Sequence, residues 1–268
     1  MPKAKVNGIN INYRAQGKGE PLVLIQGAYA DQNGWIFQTG AFRKHYRVIT
    51  FDNRGVGKSD KPSGAYSSKM MADDTVGLMD HLGIKKAHIL GISMGGMIAQ
   101  QITLNYPDRL NKLILGCTLA TNDNLSGLTA EVLKAVETQE KQIADNKKRM
   151  SIFQYLDVLL PFAFNGRLYR TAFVPIAKIQ ARLNGGTGLL GQFQVALGHN
   201  TLDSLHTIKV PTLVIAGTKD RVVKPSSSEV MEKLIPNAKL VKVEGGSHSF
   251  FFEMSGRFNK EVLDFLRA

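Results

Sequence analysis

A serine stands among glycines at the point where a short apolar run gives way to a helical pattern. Residues 91–96 read G-I-S-M-G-G and directly follow the strand-like run at 88–90. This context is typical of a sharp strand-to-helix turn that lifts the hydroxyl of Ser93 out of a sheet. The helix N-terminus presents the amide of Met94 to an oxygen on which negative charge develops. We therefore predict that Ser93 is a nucleophile and that Met94 stabilises an oxyanion.

A serine hydroxyl is a poor nucleophile until a base takes its proton. Among six histidines, His248 alone lies in a glycine-rich loop, E-G-G-S-H at 244–248, after the last predicted strand. Loops at the carboxyl edge of a parallel sheet carry functional side chains in such folds. His248 is therefore predicted to be the general base.

The base needs a carboxylate that holds its tautomer and stabilises the imidazolium. Asp220 lies just past the apolar run at 213–215, which gives the chain order Ser93, Asp220, His248. The alternative acid is Asp123, which follows the preceding strand. It stays open because a triad is defined by geometry rather than by chain order.

A second oxyanion donor is expected in the loop after the first long apolar run. Residues 24–29 read L-I-Q-G-A-Y, and Gly27 permits a sharp turn there. The amide of Ala28 is the predicted donor. Because the register is uncertain by one residue, Tyr29 is the alternative.

Short continuous apolar runs recur along the chain, as expected for strands buried on both faces of a parallel sheet. Helical patterns lie between them, one ending at Gly83 and another before Pro107. A hairpin is predicted at 5–13 around Asn7 and Gly8. The pattern predicts an α/β, doubly wound, mostly parallel sheet. The runs occupy 22–25, 48–51, 88–90, 113–115, 213–215 and 240–243.

One long segment interrupts the alternation of strands and helices. Residues 122–206 contain no convincing strand, and 126–160 have a helical pattern. The segment is too long for an ordinary connection. We therefore predict a helical cap at 122–206, with the core formed by 1–121 and 207–268. The aromatic residues that follow Pro161 are interpreted, for the most part, as the core of this insertion.

Composition excludes several classes of protein. The chain has 268 residues, 43% of them hydrophobic, and a net charge of +12, which is ordinary for a globular domain. The basic residues are scattered, so we expect no nucleic-acid partner. Cys117 is the single cysteine; it excludes an internal disulfide and a multi-cysteine metal site and is interpreted as a buried hydrophobe. With no secretory leader and no membrane-length apolar segment, a cytoplasmic location is expected.

Four segments together resemble the α/β-hydrolase superfamily over essentially the whole chain. They are the serine turn, residues 51–60 (F-D-N-R-G-V-G-K-S-D, similar to D-x-R-G-x-G-x-S), residues 211–220 around the acid, and residues 246–248 with Glu253. Residues 91–100 are similar to small esterases, enol-lactonases and the cofactor-free haloperoxidase or perhydrolase group. The resemblance implies a helical cap after the sixth strand, where 122–206 falls.

One position departs from this family. Most relatives have His-Gly where this chain has Gln26 and Gly27. That histidine usually supports the loop, and we expect the Gln26 amide to replace its hydrogen bonds. In the loop at 51–60, Arg54 and Asp60 are expected to have a structural role.

The sequence therefore predicts a serine hydrolase that cleaves a carboxylic ester or lactone through an acyl-enzyme on Ser93. The substrate is expected to be a small to medium, partly hydrophobic molecule; no cofactor motif is visible, and this chemistry needs none. One alternative is a carbon–carbon bond hydrolase of ring-cleavage products, although such relatives usually carry a tryptophan just after the histidine, and the only tryptophan here is Trp35. Another is a ligand-binding receptor on a hydrolase scaffold.

Overall fold

The chain opens with a β-hairpin. The computed structural model describes residues 2–124, 160–184 and 186–268. Strands β1 (Lys3–Val6) and β2 (Ile9–Gln16) pair antiparallel. Asn7 and Gly8 between them have φ of +47° and +80°, as a type I′ turn requires. The predicted hairpin is confirmed.

The eight strands of the described residues form one sheet in the order β1-β2-β4-β3-β5-β6-β7-β8. The β1–β2 and β2–β4 pairings are antiparallel, and the other five are parallel. Each of the six apolar runs falls within one of the last six strands, so the α/β prediction with a mostly parallel sheet is confirmed. These strands are β3 (Pro21–Ile25), β4 (Arg47–Phe51), β5 (Ala87–Ile92), β6 (Leu110–Gly116), β7 (Thr212–Gly217) and β8 (Ala238–Val243).

Apolar side chains cover both faces of the sheet. In β3, Leu22 and Leu24 belong to one buried cluster, whereas Val23 and Ile25 belong to the other. A strand that is buried on both faces has few positions for a polar side chain, which is why these strands are mostly apolar runs in the sequence.

Helices flank the sheet on both sides. The helix α2 begins after the N-cap Ser67, whose hydroxyl accepts a hydrogen bond from the amide of Met70 (3.1 Å). Gly83 follows its end with φ of +66°, as the sequence predicts. No helix in the described ranges is both long and apolar enough to cross a bilayer. The helices are α1 (Ile36–Phe42), α2 (Ser68–His81), α3 (Met94–Asn105), α4 (Arg167–Asn184), α5 (Gly186–Gly198), α6 (Ser226–Leu234), α7 (Phe250–Glu253) and α8 (Ser255–Arg267).

Two helices of the predicted cap lie within the described residues. Both α4 and α5 fall between β6 and β7, where the sequence predicts a helical insertion. The helical pattern at 126–160 lies almost entirely outside the described residues. The division into a core (1–121 and 207–268) and a cap (122–206) therefore stays a prediction.

The helices α1 and α6 are among those that the sequence analysis does not predict. The α1 sequence, I-F-Q-T-G-A-F, contains Gly40 and buries only Gln38 and Phe42. The α6 sequence begins with three serines. Serine and glycine are weak helix formers, so packing rather than local propensity determines these helices. The helix α1 packs against α8, and α6 packs against β7 and β8.

Candidate active site

Ser93 sits on a strained turn between β5 and α3. Its backbone has φ of +52° and ψ of −124°, a combination that costs a non-glycine residue about 1–3 kcal/mol. Two hydrogen bonds hold it: the Ser93 amide donates to the carbonyl of Gly116 (2.9 Å), and the hydroxyl of Thr118 donates to the carbonyl of Ser93 (2.7 Å). Such a turn points the serine hydroxyl away from the sheet.

The flanking glycines are required by close backbone contacts. A Cβ at Gly91 would lie 2.1 Å from the carbonyl oxygen of Gly95, and a Cβ at Gly95 would lie 2.1 Å from that of Ile25. Neither space holds a methyl group. The spacing of glycines around Ser93 therefore follows from how tightly α3 packs against the ends of β5 and β3.

A second close contact joins the loops that carry the predicted acid and base. A Cβ at Gly217 would lie 2.3 Å from the carbonyl oxygen of Gly246. The Lys219 amide donates to that same carbonyl (2.8 Å), and the Gly245 amide donates to the hydroxyl of Thr218 (2.9 Å). The loops after β7 and β8 are thus fixed against each other.

The structure brings Ser93, His248 and Asp220 into one hydrogen-bonded chain. His248 Nδ1 donates to Asp220 Oδ2 at 2.8 Å, and the Ser93 hydroxyl donates to His248 Nε2 at 3.0 Å. A carboxylate only accepts hydrogen bonds, so the proton of the neutral imidazole lies on Nδ1 and Nε2 is free to accept. The amides of Val222 and Val223 donate to Asp220 Oδ1 (2.8 and 3.0 Å), which leaves Oδ2 for the histidine.

The alternative acid lies elsewhere. Asp123 is exposed, and its carboxylate accepts only a long hydrogen bond from Thr121 (3.4 Å) among the described side chains. His248 donates to Asp220 instead. The geometry therefore favours Asp220 as the partner of the histidine.

The residues around His248 form their own hydrogen-bond network. The hydroxyl of Ser247 donates to Glu253 Oε2 and accepts from the Ser249 amide (3.0 Å). Glu253 Oε1 accepts from the amide of Gly166 (3.1 Å), in the segment before α4. This network anchors both sides of the histidine and links them to residues of the predicted cap.

The two predicted oxyanion amides lie beside Ser93. Both Ala28 and Met94 line the same cavity as Ser93, and neither amide donates a hydrogen bond within the described residues. The Tyr29 amide, by contrast, donates to Gln192 Oε1 at 2.8 Å. Of the two alternatives, Ala28 has the available amide.

Gln26 takes over part of the expected supporting role. Its Oε1 accepts from the Gly27 amide (2.9 Å). Its Nε2 is buried and has no hydrogen-bond partner within the described residues. The Gln26 side chain therefore makes one of the hydrogen bonds expected of it, through Oε1, and makes none through Nε2 within the described residues.

A cavity of about 440 Å³ opens above Ser93, within the range usual for small-molecule sites. Its described walls contain no Lys, Arg, Asp or Glu, and most of their side chains are apolar. Three of the aromatic residues that follow Pro161, namely Phe164, Phe173 and Phe193, line the cavity. Phe193 also belongs to a buried core cluster, so lining the cavity and belonging to the core do not exclude each other. Further wall residues are Ile36, Ile92, Met97, Leu160, Ile176, Val222, Phe251 and Phe252.

Arg54 and Asp60 lie outside the cavity, whereas Cys117 is one of its wall residues. Arg54 forms a buried ion pair with Asp74 (2.5 Å), and Asp60 accepts from the Asn10 amide (2.8 Å), so their structural role is confirmed. Burial, and secondarily the charge of Asp220, raises the pKa of Cys117 well above its usual value, so its thiol stays protonated. In the described ranges, no three His, Cys, Asp or Glu side chains cluster to hold a metal ion.

The sequence analysis assigned no role to Gln192. This side chain is fully buried in α5, lines the cavity and hydrogen-bonds the loop that carries Ala28. The only local signal is a lone polar residue within the apolar stretch G-L-L-G-Q-F at 188–193. Such a residue is uninformative until its distant partners are known.

Comparison with known proteins agrees with this architecture. A family model described as the alpha/beta hydrolase fold matches residues 20–254. A protein from Synechocystis assigned as a non-heme chloroperoxidase is 30% identical, over 97% of this chain and 95% of its own. One from Azorhizobium caulinodans assigned as the carbamate hydrolase RutD is 27% identical, over 99% and 98%. The crystal structure of the enol-lactonase from Burkholderia xenovorans superposes with a TM-score of 0.88 at 26% identity, covering 100% of both chains. The chain belongs to the alpha/beta hydrolase fold family.

Proposed function

We propose that this protein is a serine hydrolase that cleaves an uncharged, partly hydrophobic carboxylic ester or lactone. The observation that carries the proposal is the hydrogen-bonded chain Ser93–His248–Asp220 at the wall of an apolar cavity. The enol-lactonase superposes over its full length, and a lactone is an ester closed into a ring.

Acylation follows from the geometry of these three side chains. Ser93 Oγ attacks the carbonyl carbon while His248 Nε2, 3.0 Å away, accepts its proton. Asp220 stabilises the imidazolium that forms, since its Oδ2 lies 2.8 Å from Nδ1. The carbonyl oxygen becomes negatively charged between the amides of Ala28 and Met94. Each such donor is worth about 3–4 kcal/mol in related enzymes.

The same groups then act in reverse. His248 donates its proton to the leaving alcohol, which leaves an acyl-enzyme on Ser93. Water next occupies the place of the alcohol, loses a proton to His248 and attacks the acyl carbon. Collapse of the second tetrahedral intermediate releases the acid and returns the proton to Ser93. With a lactone, the alcohol and the acid are two ends of one product.

The cavity supports an uncharged substrate. A buried carboxylate with no partner is strongly disfavoured, and the described walls offer no Lys or Arg to pair with it. Arg54, in the loop after β4, does not line the cavity and is paired with Asp74. The lack of a Lys or Arg in the described walls also speaks against carbon–carbon hydrolysis of ring-cleavage acids. The position of Trp35, which is buried and does not line the cavity, speaks against it as well.

A series of p-nitrophenyl esters from acetate to long acyl chains, together with neutral γ- and δ-lactones, tests the proposal. Ser93→Ala is expected to lower kcat at least about 10³-fold. Ser228→Ala, a buried serine of α6 away from the cavity, is the matched control and should retain activity. Turnover that persists in Ser93→Ala, or its absence in the wild type, would overturn the proposal; binding without turnover is what a receptor would show.

A second arm tests the charge of the substrate. An ester whose acyl chain ends in a methyl group is compared with one of equal length that ends in a carboxylate. The neutral ester is expected to have a kcat/KM at least about tenfold higher, because the described walls leave the carboxylate unpaired. Equal values for the two esters would refute this part of the proposal.

A further inference from the structure

A single buried glutamine connects two loops of the core to α5. Gln192 is fully buried. Its Oε1 accepts from the amide of Tyr29 at 2.8 Å, and its Nε2 donates to the carbonyl of Arg54 at 2.8 Å. These partners belong to the loops after β3 and β4. Both ends of the amide are therefore used, each for a different loop.

The bond to Tyr29 matters because of what lies next to it. Three consecutive amides follow Gln26: that of Gly27 donates to Gln26 Oε1 (2.9 Å), and that of Tyr29 donates to Gln192 Oε1. The Ala28 amide between them has no acceptor within the described residues. Two glutamine side chains thus bind the amides on either side of Ala28, whose own amide remains available.

The loop needs such support because its backbone is strained. Tyr29 has φ of +69°, a conformation that a non-glycine residue keeps only where its surroundings determine it. The Tyr29 ring also packs against Phe193, with ring centres 5.1 Å apart. Both contacts come from neighbouring residues of α5, so the shape of the loop depends on that helix.

The position of α5 is itself fixed by close contacts at two of its glycines. A Cβ at Gly188 would lie 2.1 Å from the carbonyl oxygen of Gly55, and a Cβ at Gly191 would lie 2.7 Å from the ring of Tyr66. Positions 188, 191 and 192 share one face of a helix. The face that presents Gln192 is thus held directly against the loop after β4.

We propose that Gln192 is a positioning residue for the oxyanion hole, holding the Ala28 amide toward the carbonyl oxygen of the substrate. The inference rests on the proposed function, since it presumes that Ser93 attacks a carbonyl. Both ends of the side chain are needed, an acceptor toward Tyr29 and a donor toward Arg54. Gln192 stabilises the transition state through Ala28 and does not touch the reacting atoms.

Gln192→Met, which removes both hydrogen bonds and keeps the length of the side chain, is the first test. The readouts are kcat and KM for p-nitrophenyl butyrate and the Ki of an alkyl trifluoromethyl ketone. Ser93 Oγ adds to the ketone carbon, its proton passes to His248, and the resulting oxyanion occupies the hole. We expect kcat to fall and Ki to rise by the same factor, about tenfold, with KM nearly unchanged. Removal of an oxyanion donor itself costs about 10²–10³-fold.

The matched control is Gln194→Met, the same change on the same helix at a residue that does not line the cavity; it should leave kcat and Ki at wild-type values. Loss of activity in Gln192→Met through misfolding alone would lower the amount of active enzyme and leave the Ki of the folded fraction unchanged. Wild-type kcat and Ki in Gln192→Met would overturn the inference while leaving the proposed function intact. A wild type without Ser93-dependent turnover would overturn both.

Gln192→Glu, a nearly isosteric change, tests separately the hydrogen bond that Gln192 Nε2 donates to the carbonyl of Arg54. When protonated, its carboxyl group can accept from Tyr29 and donate to Arg54; when ionised, it can only accept. The ratio of its kcat to that of the wild type is therefore expected to fall as pH rises through the titration of this carboxyl group. A ratio that stays constant from pH 5 to pH 9 would contradict the proposed role of the donor.

Discussion

His199 makes the stability of the fold depend on pH in a direction that can be worked out. The residue follows α5 and is almost fully buried. Its Nδ1 lies 3.0 Å from the hydroxyl of Ser68, and its Nε2 lies 3.4 Å from that of Thr201. Neither partner carries a charge. Burial lowers the pKa of His199 from 6.5 to about 4, so the imidazole is neutral in the folded protein at neutral pH.

The direction in which the free energy of unfolding changes with pH follows from proton binding to His199. Between pH 6.5 and pH 4 the unfolded chain binds a proton at His199 and the folded chain does not, so the free energy of unfolding rises with pH in this window. The contribution is fully present above pH 6.5 and is lost as pH falls through about 4. At about 1.4 kcal/mol per pH unit, the loss amounts to about 3 kcal/mol.

Urea denaturation at pH 7, 6, 5 and 4 measures this effect, with fluorescence of the single tryptophan, the buried Trp35, as the probe. In His199→Gln the side chain can still hydrogen-bond to both hydroxyls but cannot titrate. Burial also lowers the pKa of His88, but that contribution is present in both proteins and cancels. We expect the wild type to lose about 3 kcal/mol more than the variant between pH 7 and pH 4.

The exposed His206 provides the control. His206→Gln should follow the wild-type dependence on pH, because it replaces a solvent-exposed histidine and leaves the buried His199 in place. If wild type and His199→Gln lose the same free energy on acidification, then His199 does not stay neutral in the folded protein and the reasoning from its burial is wrong.

Three further predictions concern the site. Asp220→Asn should lower kcat for p-nitrophenyl butyrate by about 10⁴-fold with little change in KM, because an amide stabilises the wrong tautomer of His248; a loss under tenfold would contradict this. Gly95→Ala places a Cβ 2.1 Å from the carbonyl oxygen of Ile25 and should lower the Tm by about 5–10 °C in a thermal scan; an unchanged Tm would show that the contact relaxes freely. Phe193→Ala enlarges the cavity and should move the acyl-chain optimum of the ester series to longer chains, whereas an unchanged optimum would place the acyl chain elsewhere.

Features encoded by neighbouring residues could be predicted from the sequence. The turn at Ser93 is set by glycines within two positions of it, and each predicted strand is a short, mostly apolar run. The loops that carry Asp220 and His248 follow such runs directly. The parallel arrangement of β5, β7 and β8 brings the carboxyl ends of the strands to one edge of the sheet, so the order of elements already implies that the three side chains lie close together.

Features that depend on distant partners could not be predicted in this way. Whether Ala28 or Tyr29 offers its amide depends on Gln192, which is 163 residues from Tyr29. The sequence also does not show which aromatic side chains face the cavity, because a wall residue and a core residue have the same apolar character. Likewise α6, which begins with three serines, is formed by its packing against the sheet.

The backbone at Ser93 has a consequence for how this chain has evolved. Its φ of +52° and ψ of −124° suit glycine better than any other residue. Replacement of Ser93 by glycine would therefore relieve strain, and selection for stability alone would favour that change. The presence of serine at this position thus indicates selection for something other than stability, because a single substitution to glycine would give a more stable fold.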